Sequence, residues 1–342
     1  VSPERSPMSS GPVELRTVAV IGATGALGSE LLQVLEERSF PLTRLVPVAT
    51  DRSLGQDVEL GGQSWAVESG DVDLAGVDLV FLCAPPEVSL EYARRALLAR
   101  VPCIDGSGAL LEQPDVAVRV GDRLDAEDRI EQPLVASPTG AALAWSAVLG
   151  PLAEAAGLER VVGTALEAAS GAAGRAGVDA LSGQSIALFT QQEPSDPEQD
   201  PVAFACLPAI DTPDAEGATS FERVLAASLE RLLGRSVPLA VTAVRVPSFH
   251  GSGAVLALET ERPLDPEAAR AALEKAPGVE IWPDPTGPST RAALGLEAVL
   301  VGRLRRDPTC ERGLQLWLAF DGVRLAAANA VKLAEALPLR RP

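Results

Sequence analysis

The sequence predicts a doubly wound α/β domain built on a parallel sheet, followed by a second domain of mixed α and β structure. Three observations carry this reading. A β-branched run at 17 to 21 (TVAVI) meets a glycine-rich loop at 22 to 28 (GATGALG) and then a helical repeat at 29 to 38 (SELLQVLEER). Short apolar runs and helical repeats alternate from there to about residue 104, the pattern of βαβ units around a parallel sheet. After Leu134-Val135-Ala136 the pattern gives way to a long Ala/Leu stretch and separate β-like segments. A chain of 342 residues holds two domains of roughly 150 residues each.

Taken in order, residues 1 to 15 are rich in Pro, Ser and Gly without periodicity and read as a mobile lead-in. After the first strand, loop and helix, 45 to 49 reads as a second strand and 78 to 83 as another. Residues 88 to 99 read as a helix and 102 to 104 as a short buried strand. A helix over 141 to 156 opens the second unit, with strands at 160 to 168, 237 to 246 and 253 to 259. The Pro-rich polar stretches 191 to 201 and 283 to 289 are expected loops. A strand at 314 to 320 and an Ala-rich helix to about residue 337 end the fold.

Composition excludes several functions. Forty-seven acids against 29 bases give a net charge of −18, which repels nucleic acid and anionic membrane surfaces. Every apolar run is interrupted before the roughly 20 residues that span a bilayer. Cys83, Cys103, Cys206 and Cys310 have neither CxxC spacing nor the density of a disulfide framework, which suits a reducing cytoplasm. With one histidine, His250, and two lysines, Lys275 and Lys332, a His-rich metal site is out of reach, so no metal is expected.

The glycine loop is the strongest motif. Gly22, Gly25 and Gly28, with Thr24, Ala26 and Leu27 between them, sit between a strand and a helix. There they permit a tight turn and let backbone N–H groups and a helix N-terminus meet a pyrophosphate. Beyond the second strand, Arg52 and Ser53 suit the 2′-phosphate of NADP, whereas Asp51 would suit the ribose diol of NAD. NADP is the preferred cofactor and NAD the alternative.

Six segments in order then resemble the aspartate-semialdehyde dehydrogenase family: GATGALG (22 to 28), ATDRSLG (49 to 55), CIDGSGAL (103 to 110), ASGAAGRAGVDAL (169 to 181), RVPSFHGSG (245 to 253) and DGVRLAAANAVKLAE (321 to 335). AFACLPAID (203 to 211) with EGATSFERV (216 to 224) is similar to the Usg-type branch of paralogues. The resemblance implies an NAD(P)-binding Rossmann domain at 16 to 136 plus 313 to 342. It implies a dehydrogenase-type dimerisation and substrate domain at 137 to 312, and a homodimer. It also implies that Ser170, Gly171 and Asn329, with Ser107, line the nicotinamide end.

The same resemblance exposes departures. The family attacks its aldehyde with a cysteine thiolate, yet the matching position in Ser137-Pro138-Thr139-Gly140 is Gly140. Glu167 replaces a glutamine, Ser252 the acid/base histidine, and Leu111 a phosphate-gripping arginine; Arg245, the arginine for the substrate carboxylate, is retained. No cysteine lies between Cys103 and Cys206, so a slipped register hides no nucleophile. His250, two residues before Ser252, would share its strand face one repeat of roughly 6–7 Å away. Tyr92 is placed on a helix remote from the pocket, and Cys83 and Cys103 read as core. The expectation is an NADP-binding, catalytically inactive family member. The alternatives are an active semialdehyde dehydrogenase or other NADP-dependent oxidoreductase, with Glu167, His250 or Tyr92 as proton donor, and a regulatory partner forming a heteromer with an active paralogue.

Overall fold

A computed structural model describes residues 16–50, 53–124, 130–192 and 201–337. The lead-in at 1 to 15 and most of the polar stretch at 191 to 201 lie outside them.

The first unit runs β1 (Thr17–Ile21), α1 (Ala26–Glu37), β2 (Arg44–Ala49), the hairpin β3 (Asp57–Leu60) and β4 (Gln63–Ala66), then β5 (Glu68–Ser69) and β6 (Leu79–Leu82). It continues with α2 (Pro86–Ala99), β7 (Cys103–Asp105), β8 (Ala117–Val118) and β9 (Leu134–Ala136). Seven strands form one sheet in the order β5-β2-β1-β6-β7-β9-β8, and every pair in it is parallel. Alternate residues of β1 and β6 enter opposite cores: Val18, Val20, Leu79 and Phe81 pack with α1, while Ala19, Ile21, Val80 and Leu82 pack with α2. Burial on both faces is why these strands read as unbroken apolar runs.

The second unit holds α3 (Gly140–Ala156), β10 (Arg160–Glu167), α4 (Ala169–Thr190), α5 (Ser220–Leu233), β11 (Leu239–Arg245) and β12 (Ser252–Glu259). It continues with α6 (Pro266–Leu273), β13 (Val279–Ile281), β14 (Val299–Arg306) and β15 (Gly313–Phe320), and α7 (Gly322–Glu335) closes the chain. Its six-stranded mixed sheet has the order β11-β10-β12-β15-β14-β13. Trp145, Leu149 and Leu152 of α3 pack with Leu225 and Leu229 of α5 on the face lined by Val161, Ala165, Leu256 and Leu316. On the opposite face Leu300 and Ala319 are buried with Ala293 and packed against Trp282, while Val162 and Val255 of β10 and β12 are exposed.

One assignment is corrected. The strand at 313 to 320 belongs to the second domain's sheet, paired antiparallel with β12 and β14, and only α7 returns to the first unit. There Ala327, Ala330 and Val331 pack against Leu31, Leu35 and the strands. A strand followed by a helix is common to both architectures. What separates them is one-sided alternation, and Leu314, Leu316, Leu318 and Phe320 all enter the second core.

Candidate functional site

The glycine loop lies at the carboxyl end of β1. Gly22 adopts φ +90°, where a Cβ would sit 2.6 Å from the carbonyl oxygen of Cys83. A Cβ on Gly28 would lie inside 3.0 Å of the Gly22 and Ala23 backbone. These two positions need glycine for conformation and for close packing of α1. Gly25 caps α1 without a side-chain hydrogen bond, and the first bond of that turn runs from Ser29 N–H to Gly25 O. The N–H groups of Ala26, Leu27 and Gly28 are therefore the helix's orphan donors, in the arrangement that receives a phosphate. Ser53 comes to the loop and shares a hydrogen bond of 3.1 Å with the Thr24 hydroxyl. Arg52 and Asp51 lie outside the described residues.

The loop after β7 is organised by Asp105, a residue that sequence reading passed over. Its buried carboxylate accepts from Ser107 N–H and Oγ at 2.8 and 2.5 Å and from Leu110 N–H at 2.7 Å. Burial raises its pKa while these bonds hold it down. Ser107 is thereby engaged with Asp105 rather than free. Leu111 is buried, and the Arg231 guanidinium donates to its carbonyl oxygen at 2.7 Å.

Gly140 is the first residue of α3, where Thr139 caps the helix by accepting from Ala142 N–H. A Cβ there would fall well inside 3.0 Å of the Cα, carbonyl carbon and oxygen of Gly322, the first residue of α7. The N-termini of the two helices touch backbone to backbone. Gly140 therefore lacks a thiol and also the space for one.

Glu167 and Ser252, apart by 85 positions, are brought together at the ends of β10 and β12. Ser252 Oγ donates to Glu167 Oε2 at 2.8 Å and accepts from Ala168 N–H at 3.3 Å. Glu167 Oε1 is buried with no hydrogen-bond partner among the described residues. Burial pushes the Glu167 carboxyl up to about 7, against the lowering effect of the Ser252 bond. Gly171 must be small here, since a Cβ would stand 2.5 Å from Glu167 Oε2. Arg245 is in register with Glu167 on β11, lines a cavity of about 140 Å³ beside α4, and its buried Nε has no partner among the described residues. Ser170 is buried beside them, its N–H donating to Phe249 O at 3.1 Å.

One expectation, that for His250, is corrected. Asn329 is buried on α7. Its Nδ2 donates to Ser137 Oγ and Arg119 O and its Oδ1 accepts from Gly121 N–H, seven residues along α7 and about 10 Å from Gly322. His250 does not share the strand face of Ser252, because Gly251 at φ +82° breaks the backbone before β12 and leaves His250 exposed in a turn. Segment 169 to 174 is the first part of α4, which is interrupted at Ala173 and Gly174. Tyr92 sits on α2 and donates to Gly70 O at 2.6 Å, engaged in packing. Burial raises the thiol pKa of Cys83 and Cys103; Cys103 is buried in the core and Cys83 is half-buried at its edge.

Residues 17–132 match the family model described as semialdehyde dehydrogenase, NAD binding domain, and residues 149–325 match semialdehyde dehydrogenase, dimerisation domain. The aspartate-semialdehyde dehydrogenase of Aquifex aeolicus is 33% identical over 331 residues, 94% of this chain and 97% of that protein. The chain belongs to the aspartate-semialdehyde dehydrogenase family. A USG-1 protein homolog of Azotobacter vinelandii is 36% identical over 330 residues, again 94% and 97% of the two chains. The crystal structure of aspartate semialdehyde dehydrogenase II from Vibrio cholerae superposes with TM-score 0.86 at 32% identity, covering 94% of this chain and 98% of that one. The family's NAD-binding domain is thus the unit that carries the glycine loop and its orphan donors. Gly322 was missed because its importance lies in the distant backbone it approaches, which no local pattern encodes, whereas Asp105 followed two residues later by Ser107 is a local turn signal present in the sequence.

Proposed function

We propose that this family member binds NADP and does not oxidise an aldehyde through a covalent thioester. The observation that carries the reading is the Gly140–Gly322 contact: the position matching the family's nucleophile has neither sulfur nor room for it. Removing a covalent nucleophile from a cooperating site costs on the order of 10⁴- to 10⁶-fold in turnover. Ser252 and Leu111, in place of the family's histidine and arginine, remove proton transfer and the phosphate grip as well.

The cofactor half is intact in kind. The N–H groups of Ala26, Leu27 and Gly28 would take the pyrophosphate, and Thr24 with Ser53 the adjoining ribose; Arg52 is the residue for a 2′-phosphate. Bound NADP would supply a hydride acceptor. The chain's own residues then bind and orient without a nucleophile to use it.

One observation favours a second reading. A buried carboxyl titrating near 7 and hydrogen-bonded to Ser252 is suited to giving up or taking a proton, so Glu167 would serve a reductase acting on a free carbonyl. Two measurements separate the readings. Fluorescence titration with NADPH is expected to saturate, and phosphate-dependent NADP reduction with aspartate semialdehyde is expected to be absent. An ordinary enzymatic rate in that assay would refute the proposal. NADPH consumption in a carbonyl screen, abolished in Glu167→Gln, would establish the second reading.

A further inference from the structure

Beyond the Gly140–Gly322 contact, a cleft of about 860 Å³ lies between α3 and α7. Its apolar floor includes Leu143, Ala147, Val299, Leu325 and Ala328. None of the glycine-loop residues lines it, and neither do Gly140, Glu167, Arg245 or Ser252. Its volume is in the range of small-molecule sites, and it opens where two domains meet, a common location for them.

The charges around it are unusual for this protein. In a chain with net charge −18 and only two lysines, both lysines border this one cleft. Lys332 is held by Asp122 and Glu297 at 2.9 and 3.1 Å, and Arg235 is paired with Glu261. That leaves Arg123, Lys275 and Glu154 on the cleft without an ion pair among the described residues. Arg123 donates to the carbonyl oxygens of Leu232 and Ser146 at 2.9 and 2.8 Å, bonds that orient the guanidinium, and the Glu154 carboxylate acts on it from beyond ion-pair distance. Two unpaired cations thus face one unpaired carboxylate above an apolar floor.

We infer that this cleft is a second ligand site, separate from the nucleotide loop, for a small organic anion with an apolar body. Its charged group would lie against Lys275 and Arg123, and its body on Leu143, Ala147 and Leu325. The ligand would wedge between the two helices whose first residues touch at Gly140 and Gly322.

The test is a fluorescence titration of the full chain with 8-anilinonaphthalene-1-sulfonate, whose sulfonate and fused rings have the stated chemistry. One equivalent is expected to bind saturably, with affinity unchanged by saturating NADPH. Lys275→Glu is expected to weaken binding about tenfold, and Ala147→Trp, which fills the floor, to abolish it. Both variants should keep the wild-type circular dichroism, melting temperature and NADPH affinity. Absence of saturable binding, displacement by NADPH, or unchanged affinity in both folded variants would overturn the inference.

Discussion

At the scale of single residues, Glu167 makes stability depend on pH in an unusual direction. An ordinary surface carboxylate stabilises a fold as pH rises, but burial raises this one from 4.5 to about 7. Between those values the folded chain holds a proton that the unfolded chain releases. The stabilisation is therefore complete below 4.5, is lost as pH climbs toward 7, and changes little beyond it. Glu167→Gln keeps an acceptor for Ser252 and removes the titration. Urea denaturation is expected to show the variant gaining on wild type by on the order of 2–3 kcal/mol between pH 5 and pH 8. An equal difference at both pH values would show that Glu167 is solvated or paired. Gly140 gives a second residue-scale prediction. Gly140→Cys places a sulfur at the position proposed to match the family's nucleophile but drives its Cβ into the Gly322 backbone, so it is expected to cost about 1–3 kcal/mol of stability and to show no dehydrogenase activity. A stable, active variant would refute the steric argument.

At the scale of elements, α7 ties the chain together. Arg324 is buried and pairs with Glu30 at 3.1 Å, Glu37 of α1 and Glu297 at 3.4 Å, and these carboxylates hold its guanidinium charged. Arg324→Ala leaves three acids facing one another. Because the acids are partly solvated, the expected loss is roughly 2–3 kcal/mol, below the 3–5 kcal/mol of a fully buried pair. Lys332→Ala, half-buried near the C-terminal end of the same helix and paired with Asp122 and Glu297, is expected to cost about 1 kcal/mol by the same denaturation measurement. The elements were legible to differing degrees for physical reasons. β1, α1 and β6 could be read directly because local periodicity and two-sided burial determine them. Helix α5 was overlooked although Thr219 and Glu222 form a complete capping box, a signal present in the sequence. The β3–β4 hairpin likewise announces itself through Gly61-Gly62, both at positive φ. The pairing of β15 and the meeting of Glu167 with Ser252 depend on tertiary register, and periodicity carries no information about that. The departures at 140, 167 and 252 could be named from the resemblance, but the reason a thiol cannot simply be put back required Gly322 in space.

At the scale of the whole molecule, α3, α5 and α6 cover one face of the six-stranded sheet, and the other face is covered at β14 and β15 but leaves Val162 and Val255 of β10 and β12 exposed. Along β10 the buried residues Val161, Gly163, Ala165 and Glu167 alternate with the half-buried or exposed Val162, Thr164 and Leu166. Val255 of β12, 46% exposed, pairs in register with Thr164, so its side chain stands on that other face beside Val162, 38% exposed. An antiparallel sheet can keep one face in water when that face is polar, but valines at its centre are better buried against a partner. The matched dimerisation domain contains this sheet. A two-fold interface would bring the same face of two copies together, so any change on it acts twice. Val255→Glu places a carboxylate on each side of such an interface without entering the core that α3 and α5 cover. Sedimentation velocity is expected to find wild type as a dimer and the variant as a monomer, with association at least about a hundredfold weaker, or two tenfold losses. Since Val255 contributes nothing to the inner core, the variant's circular dichroism and NADPH binding should persist. A variant that remains dimeric at the wild-type affinity would move the interface elsewhere, and exposed Ile186, Leu188 and Phe189 on α4 are the next apolar surface to substitute.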